Sequence, residues 1–382
     1  MAFRKRNVAV GRGTPTTEGV DDSKQAQRSG VRPSSSASFP VISTGTPSLD
    51  TLLGGHGGLP LGSSLLVEES GTTEYGGALL KYYAAEGICH GHSVHVVGVG
   101  NTWIYELPGL VERKGESSQS ASSREDERMK IAWRYESVAN TGGRALSDHR
   151  NPTVSATNTI DVSFCHRFDL SKRLVLPRTS NVNHVGPSTG AFPLDAICES
   201  VEKSLKSSSE TTVHRLIIAS ILSPPIFCAP EISRPASFLR FLHALRALLR
   251  RYPARLTAMI TLPLELFPRS SGLVRWAEIL ADGVLELTPF PHLMGASNSM
   301  VESGGTSSGE DQPQGIAKVH KVPCNTERGE GGAGAGNTIG EDLAFTVSRR
   351  KFAIRPYCLP PLEGDQDAQK EAGSLTSKDV EF

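Results

Sequence analysis

Short apolar runs alternate with segments of helical period along most of this chain, and that alternation narrows the folds open to it. "SSLLVEE" from Ser63, "SVHVVGV" from Ser93, "HRLIIASIL" from His214, "RLTAMITL" from Arg255 and "VLELTP" from Val284 read as strands. Between them lie helical patterns. "GALLKYYAAEGIC" from Gly77 runs to a Gly break. "FPLDAICESVEKSLK" from Phe192 spaces Leu194, Ile197, Val201 and Leu205 at helical intervals. "PASFLRFLHALRALLRRYP" starts near Pro235, closes at Pro253 and aligns Phe238, Leu242, Leu245 and Leu249. "SSGLVRWAEILADG" from Ser270 is a further helix, ending at Gly283. The order predicts an α/β fold, a mostly parallel sheet flanked by helices. "IAKVHKV" from Ile316 and "LAFTVSRRKFAIRP" from Leu343 follow with no helix between them, which predicts an antiparallel hairpin at one edge.

Several segments are too polar to bury a core. The 38 Gly and 24 Pro concentrate turn chemistry, and aromatics make up 6% of the 382 residues. The reading is a disordered basic, Ser-rich tail over 1–38, a core domain over 39–361, and a disordered tail over 362–382. Disordered insertions are predicted near 112–128, 139–159, 295–314 and 325–341.

The formal net charge is zero, so any nucleic-acid contact needs a local basic patch. None of the six cysteines forms a C-x-x-C pair, which suggests neither a zinc site nor a disulfide framework and fits a reduced, intracellular compartment. No apolar run is long enough to span a bilayer, and no apolar signal segment follows the basic "FRKR" start. That start reads as a solvated tail, or as a weak nuclear import signal.

The strand from Ser63 leads into "EESGTTEYGGALLKYY", where Gly71 and Gly76 carry the spacing of a phosphate-binding loop. A working loop continues with Lys and a hydroxyl; here Gly77 and Ala78 stand instead, and Glu74 adds a negative charge. Lys81, one turn on, is the only nearby substitute, against its usual reading as a solvated surface residue. The strand "RLIIAS" ends in Ala219 and Ser220 rather than the Asp that helps hold Mg²⁺. The reading is a degenerate phosphate loop (Gly71, Glu74, Gly76, Gly77, Ala78), with no catalytic residue and no resident metal.

Upstream, "STGTPSLDTLLGGHGGLPLGSSLLVEES" from Ser43 resembles the entry to RecA-like ATPases through Ser43, Thr44, Gly45, Leu49, Asp50, Leu53, Gly54, Gly55, Gly58, Leu59 and Gly62. Together with "FRKR", "LLKYYAAEGICHGH", "MKIAWRYE", "HRFDLSKRL", "VHKVP" and "SRRKFAIRPYCLPP", the chain resembles the Elongator complex protein 4 family over nearly all of its ordered core. The resemblance implies a RecA-like subunit with a degenerate ATP site. It implies a six-membered ring with two sister subunits, contact with the remaining Elongator subunits, tRNA binding in support of wobble-uridine modification, and location in cytoplasm and nucleus. No cofactor is then expected on this chain alone, with ATP left to ring interfaces. The rivals are a stand-alone RecA-like ATPase acting on nucleic acid and a single-strand DNA-binding relative of recombinases.

Other constellations carry two readings each. Arg349, Arg350 and Lys351, beside Phe352 and facing His320 and Lys321 on the expected partner strand, are either tRNA-phosphate contacts or edge protection. Cys89, His90, His92 and His95 are packed or solvated, with a metal site as the rival. His243, Arg246, Arg250 and Arg251 form a solvated face or a ring contact, and Trp133 and Tyr135 are core or interface.

Overall fold

The computed structural model describes residues 28–35, 39–71, 74–111, 163–186, 194–224, 226–227, 234–290, 313–323, 342–348 and 350–357. The elements in chain order are β1 (Val31–Pro33), β2 (Pro40–Ile42), α1 (Pro47–Leu52), β3 (Leu59–Pro60), β4 (Ser64–Glu69), α2 (Tyr75–Cys89), β5 (Ser93–Val97), a 3-10 helix (Asn101–Glu106), β6 (Pro108–Leu110), β7 (Phe168–Arg173) and β8 (Asn181–His184). There follow α3 (Leu194–Ser207), β9 (His214–Ile218), α4 (Pro235–Arg251), β10 (Leu256–Pro263), α5 (Gly272–Leu280), β11 (Gly283–Pro289), β12 (Gly315–Lys321), β13 (Leu343–Val347) and β14 (Phe352–Pro356).

A nine-stranded sheet organises these elements in the order β14-β13-β12-β11-β4-β10-β9-β5-β8. From β11 to β8 every pairing is parallel, and from β11 to β14 every pairing is antiparallel. Side-chain alternation splits the core into two layers. Leu65 and Val67 of β4 and Met259 of β10 face α2, with Leu79, Tyr83 and Ile88. Leu66, Ala258 and Ile260 face α3, α4 and α5, with Ile197, Phe238, Leu245 and Val274. The helical patterns of α3 and α4 land as their spacing requires: Leu194, Ile197, Val201 and Leu205, and Phe238, Leu242, Leu245 and Leu249, are all buried.

α2 is buried almost all round, because other elements cover its outer side. Tyr82 meets Phe168 of β7 edge to face at 6.0 Å, and its hydroxyl accepts from the Phe352 backbone N–H at 3.2 Å. The entry motif fixes this arrangement. Asp50 accepts from Ser43 Oγ (2.6 Å), Thr44 N (2.8 Å) and Thr44 Oγ1 (2.7 Å), and burial pushes its carboxyl up to about 6 despite those bonds. Gly45 (φ 79°) lies so close to α2 that a Cβ there would stand 2.5 Å from the Tyr82 carbonyl oxygen.

Three expectations change. "LAFTVSRRKFAIRP" is two strands, β13 and β14, rather than one, so the antiparallel edge has three strands. The helix from Ser270 stops at Leu280, and Gly283 opens β11 instead of ending the helix. Val31–Pro33, read as tail, pairs with β2, and Arg28 donates to the Ala254 carbonyl at 2.7 Å. The insertions expected near 112–128, 139–159 and 325–341, most of that near 295–314, Trp133, Tyr135 and the tail after 361 lie outside the described residues.

Candidate functional site

β4 ends at Glu69, and α2 begins at Tyr75. In a phosphate loop the N–H groups at this helix start point at an anion. Here they point at Glu69: Tyr75 N donates to Oε1 at 2.6 Å and Gly76 N to Oε2 at 2.9 Å. Alternation along β4 aims Glu69 to the α2 side, like Leu65 and Val67. Gly76 leaves room for it, since a Cβ there would stand 3.0 Å from Glu69 Oε2. Gly71 holds φ 90° and donates to Glu265 Oε1 at 2.8 Å. Two carboxyl groups thus accept the backbone donors that a phosphate would use.

The cavity beside this loop has a volume of about 360 Å³ and is lined by Glu69, Glu74, Gly77, Ala78, Lys81 and Glu106 among others. Lys81 does not turn toward the helix start; its Nζ pairs with Glu106 at 2.7 Å. Ser220, at the end of β9, adopts φ 43° and donates its N–H to Thr261 Oγ1 at 2.7 Å. β9 is followed by Ala219 and Ser220.

A second feature lies across α2. A groove of about 600 Å³ runs between α1, β7 and the β13–β14 turn, lined by Arg167, Arg350, Lys351 and Arg355, with Asp169 as the acid among them. The turn is tight: Ser348 N donates to Lys351 O at 2.9 Å, and Ser348 Oγ accepts from Arg350 N and Lys351 N. Arg350 and Lys351 are exposed, while Arg349 lies outside the described residues. Phe352 is not available for base stacking: it is buried, with its ring stacked on Phe345 at 5.9 Å. His320 and Lys321 are not across from the turn. β12 meets β13 through Gly315–Ala317; His320 bonds Glu286 at 2.6 Å, and Lys321 reaches the carbonyls ending α5. In that region Arg269 pairs with Glu278 (2.6 Å), Glu286 (3.1 Å) and Glu68 (3.4 Å). Burial and then Glu278 push the Glu68 carboxyl up to about 8.

The basic face of α4 is largely tied down: Arg246 to the Leu280 carbonyl, Arg250 to Asp282 and Arg251 to Glu202. The Cys/His stretch scatters. His95 joins His214 at 2.9 Å and His92 takes a bond from Arg215 Nε, while His90 meets Glu86. Arg215 is fully buried, donating to the carbonyls of Ser43 and Tyr83. Sequence reasoning missed Glu69, Arg167, Arg215 and Arg355. Only Glu69 left a signal: an acid one β-repeat beyond Val67, on the strand face that meets the loop.

The strand order gives the class. Numbering the loop strand β4 as one and the next parallel strands β5, β8, β9, β10 and β11 as two to six, the sheet reads 6-1-5-4-2-3, a RecA-like core with the loop strand between the last two. The PAXNEB protein family matches residues 24–382. Elongator complex protein 4 of Schizosaccharomyces pombe is 34% identical over 364 residues, 91% of this chain and 93% of that protein. Those of Saccharomyces cerevisiae and Homo sapiens are each 27% identical, over 97% and 87% of this chain and 83% and 80% of theirs. The chain belongs to the family of Elongator complex protein 4. Among solved structures, a KaiC-like protein from Pyrococcus horikoshii aligns with a TM-score of 0.42 at 14% identity, covering 83% of this chain and 100% of that one.

Proposed function

We propose that this chain is a non-catalytic RecA-like subunit of an Elongator assembly. With two sister subunits it forms a six-membered ring that binds tRNA and supports wobble-uridine modification, in cytoplasm and nucleus. The family relationship supports the assembly, and the seating of Glu69 in the phosphate cradle supports the absence of catalysis. A triphosphate entering that cradle would meet a carboxylate on the very N–H groups it needs, with no lysine at Gly77 and no hydroxyl at Ala78 to compensate. Any ATP used by the ring then sits at subunit interfaces rather than in this loop. The groove of Arg167, Arg350, Lys351 and Arg355 supplies the local positive surface that a neutral chain needs to hold RNA phosphates. The same geometry disfavours a stand-alone ATPase.

The test is co-expression with the two sister subunits. A defined hexamer that binds tRNA in preference to single-stranded DNA is expected, and the purified chain alone should turn over no ATP. A well-behaved monomer that ignores both partners would overturn the assignment.

A further inference from the structure

One buried cluster is unused by that reading. Glu86 on α2 and His90, which caps the helix's C-terminal end, are one turn apart, so both project to the same side. His166, just before β7, comes to meet them. His90 Nε2 lies 2.8 Å from Glu86 Oε1, and His166 Nδ1 lies 3.0 Å from the same oxygen. One donor atom from each residue falls within 4.8 Å of the other two. Glu86 and the His90 side chain are buried, whereas the His166 side chain is 23% exposed, which opens the cluster to solvent on one side.

We propose that Glu86, His90 and His166 form a binding site for a divalent zinc ion. Two imidazole nitrogens and one carboxylate oxygen are a zinc donor set, with a fourth position left on the open side for water. Around a tetrahedral ion, donor atoms stand about 3.4 Å apart given ligand distances of about 2.0–2.2 Å. Each nitrogen therefore stands about half an ångström farther from Glu86 Oε1 when the ion replaces its hydrogen bond. Ser29 Oγ, 3.1 Å from His90 Nδ1, accepts that N–H in the tautomer that frees Nε2 for the metal. Mg²⁺ and Ca²⁺, which take sets of oxygen ligands, find one carboxylate oxygen among these three donors, so the two nitrogens decide the choice. The bound ion would clasp the segment entering β7 to α2, and so fix one wall of the basic groove, where Arg167 stands.

The experiment uses the full chain without a histidine tag, stripped by chelator and titrated with Zn²⁺ against a chromogenic competitor. Co²⁺ substitution reports the coordination number by its visible bands. One ion per chain is expected, with four-coordinate Co²⁺ bands. His166→Ala should weaken zinc at least ten-fold, and Ser29→Ala should weaken it about ten-fold or more. His243→Ala, on the exposed side of α4, should bind as the parent does. Should Glu86→Gln or His90→Ala fail to fold, His166→Ala and Ser29→Ala still decide the matter, with folding checked by circular dichroism. A parent chain that takes up no stoichiometric zinc, or a His166→Ala chain that binds as tightly as the parent, overturns the site.

Discussion

Glu69 does for the start of α2 what a bound anion does elsewhere, and the substitution that removes it separates structure from chemistry. Glu69→Ala leaves two helix N–H groups without their acceptor, which should cost about 1–2 kcal/mol in denaturant unfolding. It also empties an anion cradle. Added sulfate should therefore stabilise the variant more than the parent, while ATP turnover stays absent for want of a lysine and a hydroxyl. Equal sulfate response in both would remove Glu69 from the cradle. The His95–His214 pair makes a second residue-scale case. Burial lowers His95 to about 4; burial, then His95, then Arg255 lowers His214 to about 3. The unfolded chain, with histidines near 6.5, takes up protons first as the pH falls. The pair's stabilisation is thus complete above about pH 6.5 and drains as the pH drops toward 4. The loss between about pH 7 and pH 5 should be on the order of 2 kcal/mol per histidine. Chemical denaturation at the two pH values should show it, and His95→Leu combined with His214→Leu should flatten it.

Among the elements, the β13–β14 turn is the one most exposed to test. Replacing Arg350, Lys351 and Arg355 by Ala should weaken different tRNAs about equally, because phosphate contacts position RNA without reading its sequence. The salt slope of log affinity should fall by roughly 0.7–0.9 for each phosphate that the variant no longer neutralises, with ring integrity followed by light scattering. An unchanged slope in an intact ring would assign the turn to edge protection. The sequence showed that a basic run existed here but not its partners. Arg167 lies some 180 residues earlier, and only the packing of β7 against this turn, with Leu170 N donating to Arg350 O, brings them together. Long helices and core strands were legible, because their periodicity is a property of neighbouring residues. β7 ("FDLSKR") and β8 ("NVNH") were not, since their polar residues give no pattern and the pairing partner alone makes them strands.

For the molecule as a whole, the boundary drawn at residue 38 separates two kinds of truncation. Removing residues 1–38 deletes β1, the Arg28 bond to Ala254 and the Ser29 carbonyl that accepts from His92 Nε2 at 2.9 Å. Removing 1–27 spares all three. The longer deletion should lower the melting temperature by about 5 °C or more relative to the shorter one. Equal melting of the two would make β1 an ornament. The fold class was readable because alternation of strands and helices constrains connectivity. The N-terminal boundary was not, because three extended residues among Ser and Pro look like any tail. The position of β14 on α2 has a consequence for how the protein is made. The Tyr82 hydroxyl and the Phe352 amide that meet there are 270 residues apart in the chain. At ribosomal speeds of about 5–20 residues per second, roughly 15–55 s pass between their emergence. β4 likewise waits for both of its neighbours, β10 and β11. Throughout that interval the most apolar helix of the fold has an uncovered flank, so the nascent chain, rather than the finished one, is the state with most need of a chaperone.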